Sequence, residues 1–245
     1  VKDFMEMENK AREVFTLIPG ASNKMRDQLL VGARDISEAY GRDMTEVLDG
    51  VYQALSAGIP KENVIDFMKV ASEAARGGVA SMGDAVGAIT TVLNGYGMEA
   101  SQARDVSDVL FKVVEKGVTN FTELGANIGK VTPLAAAMGI SFTEVGAMFA
   151  DLTTKLGKNK TADAGTQIKS MLAELSKEGQ LAADTFKGLT GVTFTNFVKQ
   201  GGSVESALQI MSQSAKENGT SVKDMFGSIE AGMGALTLSA DGAKG

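Results

Sequence analysis

The side chains that could do chemistry in this chain of 245 residues are Asp, Glu, Lys, Tyr and Ser, because the sequence contains no His, Cys or Trp. Ser-His-Asp catalysis, thiolate nucleophiles, disulfides, and zinc or haem sites that use imidazole or thiolate ligands are therefore excluded. Metal binding would need carboxylates alone, and the sequence has neither a calcium-type Asp/Asn loop nor a phosphate loop ending in Lys-Ser or Lys-Thr. We expect no catalytic, cofactor-binding or metal-binding residues and no cofactor, so the chain is predicted not to be an enzyme.

The charge balance argues against nucleic acid as a direct ligand. The formal net charge is −6 and the sequence pI is near 4.9, whereas phosphate binding needs a basic surface. The densest basic run, Lys155-Leu-Gly-Lys-Asn-Lys160, is short. It is interpreted as a solvated loop between helices rather than as a phosphate-binding patch.

A short motif recurs along the chain and indicates how its elements are arranged. Each copy opens with a good helix N-cap residue and carries an acid three residues later. This is the pattern of a capping box, in which both side chains satisfy backbone donors at a helix start. The copies begin 38 and 39 residues apart, and they are Asp43-Met-Thr-Glu-Val47, Ser81-Met-Gly-Asp-Ala85 and Asn120-Phe-Thr-Glu-Leu124.

A second signal runs in step with the first. A Gly followed by Ile or Met ends one apolar helix and precedes another, at Gly58-Ile59, Gly97-Met98 and Gly139-Ile140. A period near 40 residues that contains two helices is typical of stacked helical hairpins. The predicted fold is therefore all-α, with antiparallel helical hairpins in quasi-repeats of about 40 residues, followed by shorter helices. We expect no sheet of three or more strands within residues 40–160.

Helix limits follow from apolar periodicity and from capping and breaking residues. Pro60 is predicted to be the first residue of its helix, Gly77-Gly78 to end it, and Pro133 to break the long helix near Thr132. Ser203 and Ser221 are predicted N-caps, with a strict capping box only at Ser221, and the chain is expected to fray after Met233. The predicted helices are 2–17, 21–40, 43–57, 60–77, 81–94, 99–115, 120–138, 141–156, 161–175, 180–187, 194–200, 203–217 and 221–232.

The sequence offers no membrane span and no leader peptide. The longest uncharged stretch, 85–98, has 14 residues and is interrupted by Gly, whereas a spanning helix needs about 20 apolar residues. The chain begins with Val1, and Asp3, Glu6 and Glu8 follow within the first residues. We interpret the chain as a fragment of a longer protein.

Residues 54–68, Ala-Leu-Ser-Ala-Gly-Ile-Pro-Lys-Glu-Asn-Val-Ile-Asp-Phe-Met, closely resemble a segment of phage tail tape measure proteins, a family with a core region shared among long-tailed phages and prophages. The resemblance covers roughly residues 20–180. The predicted regions are therefore a helical-hairpin core, 1–180, and an extension of shorter helices with a frayed end, 181–245. The resemblance continues through 77–79, 92–98, 106–108, 110–112, 129–133, 138–145 and 166–168.

The resemblance implies that the parent protein is a structural component of the virion, located in the tail lumen and, during assembly, in the host cytoplasm. Proteins of this family set tail length, assist tail tube assembly and leave ahead of DNA at ejection. The implied partners are other copies of the chain, the tail tube protein, tail tip or baseplate proteins and tail assembly chaperones. No specific nucleic acid is implied, and membrane contact is implied only on ejection. The family's core region has no catalytic residues.

Two other functions stay open on the residues alone. One is a helical-repeat interaction module unrelated to phage that binds a partner helix along a concave face. The other is a membrane-active ejection protein whose Gly- and Ala-rich amphipathic helices insert into a bilayer, although its helices lack Lys/Arg-rich polar faces.

Glycine is unusually frequent, at 29 of 245 residues, compared with an average near 7%. Gly50, Gly87, Gly125, Gly129 and Gly146 fall inside predicted helices, where each costs roughly 1 kcal/mol relative to Ala. Either these glycines allow close helix contact, or they keep the hairpins marginally stable so that the chain can unfold and pass through a narrow tube.

The residue types lead to a first prediction. Purified protein should hydrolyse neither peptidoglycan, nor nucleic acid, nor esters, because no paired-carboxylate motif in a recognisable context accompanies the lack of His and Cys. Release of soluble fragments or chromogenic product checks this. Turnover that a single Asp or Glu substitution abolishes would contradict it.

Overall fold

The computed structural model describes residues 2–239, and these residues form fourteen α-helices, two short 3-10 helices and no β-strand. The predicted all-α class is therefore confirmed. The 3-10 helices are Ala100–Gln102 and Val222–Met225. The α-helices are α1 (Lys2–Thr16), α2 (Asn23–Tyr40), α3 (Met44–Ser56), α4 (Val64–Gly77), α5 (Met82–Tyr96), α6 (Ala103–Lys116), α7 (Phe121–Ile128), α8 (Thr132–Met138), α9 (Phe142–Leu156), α10 (Thr161–Ser176), α11 (Leu181–Thr190), α12 (Phe194–Lys199), α13 (Val204–Glu217) and α14 (Ile229–Ser239).

Helix contacts divide the chain into two compact units, residues 1–111 and 112–245. The predicted regions 1–180 and 181–245 follow the extent of the family resemblance rather than helix contacts, and they stay a prediction. The repeat of about 40 residues also stays a prediction. Helix α6, the second arm of the second predicted hairpin, is joined to α4 by an ion pair of 2.8 Å between Arg104 and Glu73.

The first unit is built around α3, which packs against α1, α2, α4 and α5. The residues of α3 that face these neighbours are fully buried, namely Val47, Leu48, Val51 and Ala54. Their successive spacings of one, three and three residues place them on one side of a helix. Burial of such side chains contributes about 1.5–3 kcal/mol each for Val and Leu, which makes this stripe the main apolar contribution of α3.

The second unit is built around α10, which packs against α7, α8, α9, α11, α12 and α14. The face predicted from the sequence to be apolar, Ile168, Met171, Leu172 and Leu175, is buried in the structure. Helices from before and after α10 in the sequence share this one surface, so α10 is the element on which the unit is assembled.

The three predicted glycine turns are confirmed. Gly58, Gly97 and Gly139 have φ of 95°, 63° and 81°, a left-handed conformation that glycine adopts without steric cost. At each turn the amide of the next residue donates to a carbonyl five residues earlier, which is the 6→1 bond of a Schellman motif. These bonds run from Ile59 to Ala54 (3.0 Å), from Met98 to Leu93 (2.8 Å) and from Ile140 to Ala135 (3.0 Å).

The predicted role of Pro60 is wrong. Helix α4 begins at Val64, and residues 61–63 form a separate turn in which the Asn63 amide donates to the Pro60 carbonyl at 2.9 Å. This extra turn allows Ile59 and Val64 both to be buried. Burial of these two side chains outweighs the preference of Pro for the first position of a helix.

The break predicted at Pro133 is confirmed. Helix α7 ends at Ile128 and α8 begins at Thr132, so Pro133 is the second residue of α8, where its missing amide removes no helix bond. Gly129 consequently caps α7 instead of lying inside a long helix.

The expected fraying after Met233 is wrong for residues 234–239, which belong to α14; residues 240–245 lie outside the described part of the chain. The predicted helix 221–232 is in fact a 3-10 helix followed by the start of α14. Gly234 explains why the Gly/Ala-rich segment is ordered, because a Cβ atom there would lie only 3.1 Å from the Gln167 carbonyl oxygen. The small residue lets α14 approach α10 closely.

The glycines inside helices fall into two groups, and this gives a second prediction. A Cβ atom at Gly50 would lie 2.6 Å from Met68 Cε and 2.8 Å from Met82 Cγ, whereas nothing lies within 4 Å of one at Gly87. Gly87→Ala should therefore raise stability by roughly 1 kcal/mol, the usual helix-interior difference. Gly50→Ala should lower it by about 1–3 kcal/mol, as overpacking does.

Urea unfolding followed by far-UV circular dichroism measures both changes. Gly188→Ala is the matched control, since Gly188 lies in α11 and its added Cβ would also meet open space. If Gly50→Ala stabilised as much as Gly87→Ala, the close contact at Gly50 would carry no energetic weight, and marginal stability would explain both glycines.

Candidate functional site

The recurring motif supplies a helix N-cap at every copy. Ser81 Oγ accepts from the Asp84 amide at 3.0 Å, and Asn120 Oδ1 accepts from the Glu123 amide at 2.8 Å. Asp43 Oδ1 accepts from the Thr45 amide at 2.7 Å. This half of the predicted capping boxes is confirmed, and each bond satisfies a donor that a helix start leaves free.

A fourth copy of the motif, Ser141-Phe-Thr-Glu-Val145, begins α9 in the same way. Ser141 Oγ accepts from the Glu144 amide at 3.2 Å. The strict reciprocal box is present at Ser203, where the Ser206 hydroxyl accepts from the Ser203 amide at 2.9 Å and the Ser206 amide donates to Ser203 Oγ at 3.0 Å. The box predicted at Ser221 is present, with the Ser221 amide donating to Asp224 at 3.2 Å. Its restriction to Ser221 is wrong, because the serine hydroxyl at the third position of the Ser203 helix is long enough to reach back.

The glutamates of the motif do not fold back on their own helices. Glu46 Oε1 accepts from the Met82 amide at 3.2 Å, and Glu144 Oε1 accepts from the Val204 amide at 2.6 Å. Met82 and Val204 are the first residues of α5 and α13. A carboxylate in the first turn of one helix therefore accepts a hydrogen bond from the free backbone amide at the start of another helix. The helix dipole favours a negative charge at that position.

Glu123 makes the same kind of link through a side chain. Its Oε2 accepts from the hydroxyl of Thr161, the first residue of α10, at 2.9 Å. Thr161 is buried and its hydroxyl also lies 2.7 Å from that of Thr119. We call Glu46, Glu123 and Glu144, with the helix starts that they bind, the carboxylate joints.

Sequence reasoning missed a related residue, Glu174, near the end of α10. Its carboxylate accepts from the Gly227 amide at 2.7 Å, the Ser228 amide at 2.9 Å and the Ser228 hydroxyl at 2.6 Å. These groups immediately precede α14. No motif surrounds Glu174, so only the position of α14 against α10 reveals its role.

A cavity of about 380 Å³ lies beside the Glu144 joint, between α9, α13 and the end of α14. Its lining includes apolar residues together with Glu144, Asp151 and Glu205. Burial raises the pKa of the Glu144 carboxyl above its usual value, the Val204 amide opposes that shift, and the nearby Glu205 charge adds to it. Asp151 is neutralised by Lys155 at 3.0 Å. Within residues 2–239, no three acidic side chains are grouped so that they could hold a metal ion.

The basic run is engaged in local contacts. Lys155 Nζ donates to Asp151 and, at 2.6 Å, to the Thr237 carbonyl, and Lys160 pairs with Asp163 at 2.8 Å. Two of its three positive charges are thus offset by neighbouring oxygens. This geometry favours the interpretation as a loop between helices over that of a phosphate-binding patch.

None of the helices described is both long enough and apolar enough to cross a membrane.

Comparisons with known proteins place this chain in a family. The family described as phage-related minor tail protein matches residues 31–234, which is most of the chain. The chain belongs to this family. The match runs through both compact units.

Two curated relatives of this chain are named as a tape measure protein or a probable one. The chain is 36% identical over 215 residues to a probable tape measure protein of Clostridium phage phiCD119, covering 84% of the chain and 23% of the relative. It is 23% identical over 177 residues to the tape measure protein of Pneumococcus phage Dp-1, covering 72% of the chain and 15% of the relative. The chain thus spans less than a quarter of the length of each. No solved structure matches it.

The Glu144 joint gives a third prediction. Because its folded pKa is raised, the stability linked to Glu144 is fully present below the unfolded pKa and is lost as pH rises through the folded pKa. Glu144→Gln keeps an oxygen acceptor for the Val204 amide and removes the titration. The stability of this variant relative to wild type should therefore be most favourable at neutral pH and should fall as pH is lowered to about 4.

Urea unfolding at several pH values measures this difference. Glu205→Gln is the control variant that should bring the pKa of Glu144 nearer its usual value, as seen by NMR titration of the Glu144 carboxyl carbon. Parallel stability profiles for wild type and Glu144→Gln would show that Glu144 titrates normally.

Proposed function

We propose that this chain is a folded module of a phage tail tape measure protein and acts as a structural component of the virion. The observation that carries the proposal is the family match over residues 31–234, supported by two relatives that are named tape measure proteins. Through this module the parent protein takes part in tail length determination, tail tube assembly and DNA ejection.

The module organises tail assembly or anchors the tape rather than measuring length itself. A continuous helix of 245 residues would reach about 370 Å at 1.5 Å per residue. The described residues instead form helices of at most 18 residues, about 27 Å long, that reverse at glycine turns. A chain folded in this way contributes little length for its mass, so the ruler function belongs to other parts of the parent protein.

The proposed partners are other copies of the chain, the tail tube protein, tail tip or baseplate proteins and tail assembly chaperones. The proposed locations are the tail lumen and, before assembly is complete, the host cytoplasm. A catalytic role is not proposed, because the joint glutamates and Glu174 accept hydrogen bonds that hold helices together.

Membership of the phage tail family disfavours a helical-repeat module unrelated to phage. A membrane-active role on ejection would be separable by leakage of dye from anionic liposomes, which a purely structural module does not cause.

The proposed function leads to a fourth prediction, tested in the genome that encodes the full-length protein. Met171→Asp places a charge at the fully buried centre of α10 and should cost several kcal/mol, a large part of the roughly 5–15 kcal/mol that holds a domain folded. Tailed particles should then be lost or greatly reduced. Lys169→Asp, at an exposed position of the same helix, should leave their number and tail length unchanged.

Electron microscopy of lysates counts the particles and measures the tails. Immunoblotting of the lysates establishes that each variant is produced. Normal tails from a Met171→Asp protein that is produced at wild-type level would show that the folded module is dispensable, and the proposal would fail.

A further inference from the structure

The end of α4 carries an unusual backbone conformation. Val79 has φ of 50°, and its side chain is 93% exposed. In residues 2–239 the other residues with positive φ are nine glycines and Asn159. Glycine and Asn tolerate the left-handed region, but a β-branched side chain there is a steric outlier. Val79 therefore combines backbone strain with nearly full exposure of an apolar side chain.

Two glycines that could relieve this strain stand immediately before Val79. Gly77 is the last residue of α4, and Gly78 has φ of −84° and ψ of 0°, a conformation open to any residue. The Ala80 amide donates to the Ala75 carbonyl at 2.9 Å, the same 6→1 bond that closes the turns at Gly58, Gly97 and Gly139. The turn is thus an ordinary Schellman motif displaced by one residue from the glycine that suits it.

A half-buried ion pair holds the displaced turn in place. Arg42, between α2 and α3, donates through Nη2 to the Ala80 carbonyl at 3.2 Å and through Nη1 to Glu46 at 3.1 Å. The same oxygen of Glu46 accepts from the Met82 amide at 3.2 Å. We call Arg42 and Glu46, with these two backbone contacts, the Arg42 clamp. It fixes both the last residue of the turn and the first residue of α5.

We propose that the end of α4 has two registers and that the Arg42 clamp selects the strained one. In the relaxed register Gly78 takes the left-handed position, α4 ends one residue earlier, and Val79 takes the place of the buried Ala80. The Ala80 carbonyl then leaves Arg42, and α5 starts one residue further from α4. The clamp thereby sets how α5 is joined to α3 and α4, at the cost of strain at Val79.

A double-mutant cycle tests this device. Val79→Gly removes the strain and should raise the melting temperature by about 2–4 °C. Arg42→Met keeps the apolar stem but removes both donors, so the turn should move to the relaxed register. In that background Val79→Gly should raise the melting temperature by less than half as much. Gly78→Ala should cost more in the Arg42→Met background than in wild type, because only there does residue 78 need positive φ.

Equal effects of Val79→Gly and of Gly78→Ala in the two backgrounds would overturn the proposal, as would a Val79→Gly variant that is not stabilised. Hydrogen exchange on the wild-type chain gives an independent measurement if Arg42→Met does not fold. The Ala80 amide should exchange faster than the Ile59 amide, its matched 6→1 donor at Gly58, and Val79→Gly should slow it to the same range. Equal protection of these two amides in wild type would mean that no second register is populated.

Discussion

The interaction on which this structure depends is the satisfaction of helix starts by carboxylates from other helices. Every α-helix leaves four amide donors without intrahelical partners, and fourteen helices in 238 described residues make many such ends. Glu46, Glu123 and Glu144 each carry a carboxylate to the first residue of a helix that begins 36, 38 or 60 residues later. The joints therefore connect elements that short turns cannot connect.

Apolar burial and the carboxylate joints constrain the helices in different ways. Buried apolar faces such as those of α3 and α10 stabilise the fold, but burial is non-directional and would tolerate sliding of one helix along another. A charge-assisted hydrogen bond of 2.6–3.2 Å has no such tolerance. Breaking the joint at Glu46 or Glu144 removes the carboxylate partner of a helix-start amide and leaves a partly buried charge, so these joints contribute more to specificity than to net stability.

Much of the fold could be predicted because its signals are local. Apolar spacing found the central face of α10, side-chain caps marked the starts of α3, α5 and α7, and Gly58, Gly97 and Gly139 marked turns. The acid of each motif was predicted to reach back to its own helix start, since the sequence does not show that a second helix start lies within reach. Glu174 and the displaced turn at Val79 were hidden for the same reason: both depend on contacts between segments distant in the chain.

The joints also explain the raised pKa of the Glu144 carboxyl, which could be mistaken for that of a catalytic acid. A half-buried glutamate with a raised pKa beside a cavity can be the signature of an active site. In this chain Glu144 Oε1 is taken by the Val204 amide, and the opposing Glu205 is an exposed neighbour on α13 rather than a second catalytic group. The raised pKa is the electrostatic cost of burying a charge that aligns two helices. The perturbation at Glu144 is thus accounted for by its contacts with α13.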